Sequence, residues 1–191
     1  HCQTAAASLT KPQPKINIVR TGLQALAAVL GGAQSLHTNG MDEAFAIPTE
    51  EAMKIALRTQ QIIADETGVA SVADPLGGSY FVESLTTQFE QEIFGVLDEV
   101  ERRGGTVKLI EEGWFQQRIA DFAFDTVKRK ASGDKPVIGV NRHVEPDERF
   151  DVEIHPYDPT TAERQIARLQ RVRRERDSAR VAALLDRLAA V

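Results

Sequence analysis

Disulfides, membrane spans and an excess of positive charge are all missing from this sequence, and each absence removes a class of protein. One cysteine, Cys2, cannot form an internal disulfide, which fits a reducing cytoplasm. Cys2 beside His1 is too little for a metal centre, so no metal ligand is assigned. No apolar run approaches the ~20 residues that cross a bilayer, so no membrane contact is expected. Acidic residues number 28 against 23 basic, a net charge of −5, and that balance speaks against a general nucleic-acid binder. What is abundant is apolar: 42% of 191 residues, enough for a substantial core.

Helical and extended periods alternate along the chain. "HCQT" reads as the end of a strand, and with His1 in first place the chain is expected to be part of something longer. Ile18, Leu23, Leu26, Ala27 and Leu30 recur at helical spacing and stop at Gly31-Gly32, which predicts a helix over 17–30. "AQSLHT" then predicts a brief strand. Thr49, following Pro48 and preceding Glu50 and Glu51, is the expected N-cap of a second helix, with Met53, Ala56, Leu57, Ile63 and Ala64 as its apolar stripe and Gly68 as its end. "VASVADP" predicts a strand, the residues up to Gly104 contain a long helix, a short helix and a longer one follow, and "PVIGV" predicts a last strand. Helix and strand in alternation with short connections indicate a parallel α/β protein.

From Asn141 to Pro159 the chain is rich in Pro, Asp and Glu, which predicts a surface connector. The stretch after Thr160 sets eight arginines, Arg164 to Arg187, around Ile166, Leu169, Val172, Ala179, Ala183 and Leu184. That pattern suits an amphipathic helix docking on another domain or subunit better than a nucleic-acid arm, because Glu and Asp partners are interleaved.

The densest chemistry lies in "GGAQSLHTNGMDEAFAIPTEEA", where Gln34, Ser35, His37, Thr38, Asn39, Asp42 and Glu43 crowd a strand end and the turn after it. A structural strand has no need of so many donors and acceptors. A turn-and-cap role competes for Asn39 and Asp42, and His37 reads best as structural. Gly77-Gly78-Ser79 before Tyr80 is weak ground for a phosphate cradle.

"HCQT", "NIVRT", "GGAQSLHTNGMDEAFAIPTEEA", "IALRTQQIIADETGVASVADPLGGSYFVESLT" and "VIGVN" together resemble the large subunit of the methylmalonyl-CoA mutase family of adenosylcobalamin-dependent acyl-CoA mutases. The resemblance implies an α/β fold, the C-terminal portion of a TIM (β/α)8 barrel over residues 1–141, followed by a connector and helical tail over 142–191. It also implies a radical rearrangement of an acyl-CoA skeleton, methylmalonyl-CoA to succinyl-CoA or, as the alternative, isobutyryl-CoA or another branched acyl-CoA. A non-catalytic barrel remnant serving as an interaction module is the contrasting possibility.

Carried over by position, Gln3, Asn39, Glu43 and Ala44 are expected at the adenosylcobalamin, and His1, Gln34 and Ser35 at the acyl-CoA. No residue here is expected to act as acid, base or nucleophile. Two departures stand out: Ala6 and Ala7 occupy places where the family puts larger or different residues, and Lys15 stands where Asn is common. No Asp-x-His-x-x-Gly signature of a cobalamin-binding domain occurs, so that domain or a small subunit is the expected partner, in a dimer or heterodimer. The segment by itself is expected to be inactive.

Overall fold

The computed structural model describes residues 1–146 and 152–190. They divide into two compact units, His1–His155 and Pro156–Val191, and each is considered by itself.

The first unit begins with a parallel pair, β1 (Cys2–Gln3) and β2 (Leu36–His37), in which Cys2 faces Leu36 and Gln3 faces His37. Cys2 N donates to Ser35 O at 2.9 Å and Thr4 N to His37 O at 3.0 Å. Parallel strands require a crossover, and α1 (Ile16–Leu30) supplies it. It ends where expected, at Gly31, with Gly32 in the left-handed region at φ 80.

The buried face of α1 differs from its expected apolar stripe. Asn17, Thr21 and Ala25, spaced four apart, point inward, whereas Leu23 is 65% exposed. α2 (Glu50–Glu66) packs on α1 and buries Ala52, Ala56 and Ile63, while Met53 and Leu57 are exposed. Small side chains at the contact let the helices approach closely: a Cβ on Gly22 would lie 3.7 Å from Thr59 Cγ2. The Thr49 cap forms as expected, its Oγ1 accepting from Ala52 N at 3.3 Å with Glu50 and Glu51 in the first turn.

Two expected strands are absent. Residues Val69–Ser71 of "VASVADP" wind into a 3-10 turn launched by Gly68 at φ 72, and Asp74 takes φ 44. "PVIGV" is a turn with one isolated bridge, Ile138 to Arg142. There the Asn141 side chain accepts from Val137 N at 2.6 Å, and Gly139 at φ 79 donates to Arg142 O. Local partners thus take the backbone groups that a strand would offer to a neighbour, and a strand is stable only with one.

α3 (Tyr80–Arg102), α4 (Thr106–Glu111) and α5 (Trp114–Ser132) follow as expected, separated by Gly104, Gly105 and Gly113, all at positive φ. Arg103 and Arg118 both lie over the Trp114 ring, at 5.5 and 4.9 Å, and both pair with Glu99. This clamp links α3 to α5.

The second unit holds α6 (Thr161–Glu175) and α7 (Ser178–Ala189), so the single tail helix expected from the sequence is two. The break falls at Arg176, which is extended at ψ 139, and Asp177 recaps the chain by accepting from Arg180 N at 3.0 Å. Part of the expected connector, residues 147–151, lies outside the described residues.

The architecture is therefore α/β and mostly helical. Among the described residues one sheet of two strands occurs, and the expected barrel does not close among them.

Candidate functional site

Strand residues two apart share a face, and the two faces of β1–β2 differ sharply. Leu36 is half-buried and Thr38 buried, and the Thr38 hydroxyl donates to Ala56 O on α2 at 2.8 Å. His1, Gln3, Ser35 and His37 occupy the opposite face and are exposed. Of the predicted residues, His1 and Ser35 meet directly, Nδ1 to Oγ at 2.8 Å. Gln3 sits across from His37. Gln34 is exposed and precedes β2, outside the strand pairing.

Past the C-terminal ends of the strands the polar groups close on one another. Asn39, only 2% exposed, donates from Nδ2 to Glu43 Oε2 at 2.6 Å. Gly40 N donates to Glu43 Oε1, also at 2.6 Å. The sharp turn that brings residues 39 and 43 together passes through Gly40 for reasons of space: a Cβ there would stand 2.9 Å from both Asp42 Oδ1 and Pro48 Cβ. Ala44 is half-buried in the same turn, and its methyl group can contribute packing alone.

Asp42 faces the other way. Its Oδ2 accepts from Thr49 N at 2.8 Å and Thr49 Oγ1 at 2.9 Å, so it holds the entry to α2. The geometry gives Asp42 the cap role, one of the two expected for it. Its Oδ1 is buried with no hydrogen-bond partner.

Three residues outside the expected site set, Thr4, Asn17 and Arg20, support the site. Thr4, 5% exposed, donates its hydroxyl proton to Asn39 Oδ1 at 2.5 Å and accepts from Asn39 N at 3.0 Å. Asn17, 0% exposed, donates to Thr10 O and Met41 O, both at 2.9 Å, and accepts from Thr10 N and Arg20. Arg20 also reaches Ile138 O at 2.8 Å. A buried amide with every group satisfied rigidifies its surroundings, and here it anchors the start of the turn that carries Glu43. The apolar spacing of α1 points to Ile18, Leu23 and Leu26 rather than to position 17, and nothing local marks Thr4.

Glu43 borders an open cavity of about 500 Å3 whose lining includes His37, Thr38, Gly40, Pro48 and Met53. A second cavity of similar volume lies among the C-terminal end of α1, the 69–77 turn and the start of α3, and contains none of the predicted residues. The glycine pair beside it does not cradle an anion: Gly78 N already donates to Glu83 Oε1 at 2.9 Å, and that carboxylate would repel one.

Short parallel strands, a helical crossover and a polar turn beyond the strand ends are the arrangement in which α/β folds present ligand-binding groups at the C-terminal side of a sheet. The sequence profile described as methylmalonyl-CoA mutase matches residues 1–191, and the chain belongs to that family. It is 73% identical over its whole length to the 2-hydroxyisobutanoyl-CoA mutase large subunit of Aquincola tertiaricarbonis, spanning 34% of that protein. It is 42% identical to the methylmalonyl-CoA mutase of Cereibacter sphaeroides, with 98% of the chain and 26% of the relative covered. The mitochondrial methylmalonyl-CoA mutase of Homo sapiens is also 42% identical, over 94% of the chain and 24% of the relative. The chain thus spans a quarter to a third of these relatives.

Proposed function

We propose that this chain forms one wall of the active site of an adenosylcobalamin-dependent acyl-CoA mutase, an isomerase that rearranges the carbon skeleton of a CoA thioester. The observation that carries the reading is the Thr4–Asn39–Glu43 chain just beyond the ends of two parallel strands. The donor set fits the nucleoside of the cofactor. Each Glu43 oxygen accepts one protein donor, and a carboxylate has room for about four, so lone pairs remain for two ribose hydroxyls. Asn39 steadies that carboxylate and Ala44 packs beside it. Gln3 presents an exposed amide, able to donate and accept toward the rim amides of the corrin. His1, Gln34 and Ser35, all exposed, hold the thioester region of the acyl-CoA.

When bound, the cofactor supplies a cobalt–carbon bond that cleaves homolytically, and with it the hard chemistry. The task left to these residues is to bind, orient and exclude water. Amides, hydroxyls and a carboxylate perform it without offering an easily lost hydrogen atom. None of them is assigned a proton transfer.

In this reading residues 1–141 belong to the barrel and 142–191 form a connector and helical tail, in a cytoplasmic enzyme. A cobalamin-binding domain or small subunit completes it as a dimer or heterodimer; the words "large subunit" in the name of the Aquincola relative support such a partner. Of the two candidate substrates, methylmalonyl-CoA and a branched acyl-CoA, the identity of 73% against 42% favours a branched acyl-CoA of the 2-hydroxyisobutanoyl type. The test supplies a full-length protein carrying this chain with adenosylcobalamin, its cobalamin-binding partner and 13C-labelled samples of both thioesters. Rearrangement of the 2-hydroxyisobutanoyl skeleton is expected; rearrangement of neither thioester overturns the proposal.

A further inference from the structure

Beyond the residues assigned to the ligands, Thr4 makes a pair of bonds that constrains the whole site. The Asn39 backbone N–H can only donate, so Thr4 Oγ1 accepts it, at 3.0 Å, and sends its one proton to Asn39 Oδ1 at 2.5 Å. That leaves Asn39 one orientation. With Oδ1 on Thr4, Nδ2 faces Glu43 Oε2 at 2.6 Å; with the amide reversed, the Asn39 oxygen would confront a carboxylate and the Thr4 proton would lose its acceptor. Strand pairing does not require the hydroxyl, because the backbone bond from Thr4 N to His37 O already provides it. The chain is continuous and directional: the Thr4 proton sets the amide, and the amide sets one carboxylate oxygen.

We propose that Thr4 is a positioning residue, which fixes the Asn39 amide and through it turns the Glu43 carboxylate toward the ligand. This rests on the reading of Asn39 and Glu43 as contacts to the adenosyl group. Thr4 itself, 5% exposed, is assigned no ligand contact.

The test uses a full-length protein carrying this chain. Thr4→Val keeps the shape and loses the hydroxyl; Thr4→Ser keeps the hydroxyl. The first readout is the ligand-free crystal structure of each. Thr4→Val is expected to swing the Asn39 amide off Glu43, and Thr4→Ser to retain the contact. The second readout is affinity. Thr4→Val is expected to weaken adenosylcobalamin binding roughly tenfold, about the loss of one hydrogen bond, with acyl-CoA affinity unchanged and Thr4→Ser close to the parent. If Thr4→Val does not accumulate, Thr4→Ala must give the same two results. An intact Asn39–Glu43 contact in the hydroxyl-free variant overturns the proposal, as does an equal loss for both ligands or a failure of Thr4→Ser to restore binding. Should the parent protein bind no adenosylcobalamin, the functional reading fails, and the ligand-free structures still decide whether Thr4 sets Asn39.

Discussion

Asp42 and Glu43 are adjacent carboxylates with opposite duties, and substitutions should separate them. Glu43 accepts from Asn39 and Gly40 at the cavity edge, whereas Asp42 accepts twice from Thr49 inside the fold. Glu43→Gln leaves a single acceptor oxygen for two protein donors and none to spare for a ribose. Cleavage of the cobalt–carbon bond should slow by an order of magnitude or more, roughly the worth of a hydrogen bond to a charged group, while acyl-CoA affinity stays within twofold. Stopped-flow spectroscopy at a temperature where the variant is fully folded measures this, and normal cleavage would remove Glu43 from the site. Asp42→Ala should act on stability instead, by about 1–3 kcal/mol for the unpaired Thr49 groups, with both ligand affinities preserved in the folded fraction; calorimetry and ligand titration together check it. The polar density of residues 34–43 is legible in the sequence, and so is the cap role open to Asp42. The partners are not. Thr4 lies 35 residues from Asn39 and Arg20 lies 118 from Ile138, and no local pattern encodes contacts at such separations.

Elements whose signals are local read well, and those that depend on neighbours do not. α2 announces itself through Thr49, two acidic residues and a periodic stripe, all within one segment. "VASVADP" has the β-branched content of a strand but forms a 3-10 turn, because a strand is defined by what pairs with it. The tail follows the first pattern in part: its amphipathic period is legible, while the break at Arg176 turned on Asp177 preferring to cap. Its two helices carry apolar stripes, Ile166, Leu169 and Val172, then Val181, Leu184, Leu185 and Leu188, all exposed. Deleting 160–191 from a full-length protein should weaken association with the cobalamin-binding partner without altering the packing of α1 on α2. An unchanged dissociation constant in analytical ultracentrifugation would contradict the docking role. At the start of α6, Thr160 Oγ1 and N donate to Asp158, and Arg164 joins them, holding this carboxyl below its usual 3.8. Because the folded value is depressed, these contacts are fully present above the ordinary carboxylate pKa and are lost as pH falls through the lowered one. The Thr160 amide shift in an NMR titration should report that loss at acid pH.

For the chain as a whole, the distribution of burial is the main clue to its setting. Among the described residues the buried apolar side chains are Ala25, Ala52, Ala56, Ile63, Val100 and Leu109, half of them alanine, and the largest fully buried side chains are Leu109, Asn17 and Asn39. Phe81, Phe89, Phe94, Phe122 and Phe124 on α3 and α5 are exposed. A small apolar core that shares its burial with two asparagines, with these five phenylalanines exposed, orders a polar site better than it stabilises an independent domain. The 191 residues alone are accordingly expected to isomerise no acyl-CoA and to bind adenosylcobalamin poorly, and sustained turnover by the purified segment would refute this. The central claim is that Thr4, Asn39 and Glu43 order one wall of a ligand site completed by the rest of a mutase. Its most direct test is the structure of a full-length protein carrying this chain, solved with adenosylcobalamin and a CoA thioester bound. The account predicts the ribose hydroxyls within hydrogen-bond distance of the Glu43 carboxylate and the thioester beside Gln34 and Ser35. A nucleoside bound elsewhere, with Glu43 still closed on Asn39 and Gly40 alone, would contradict it.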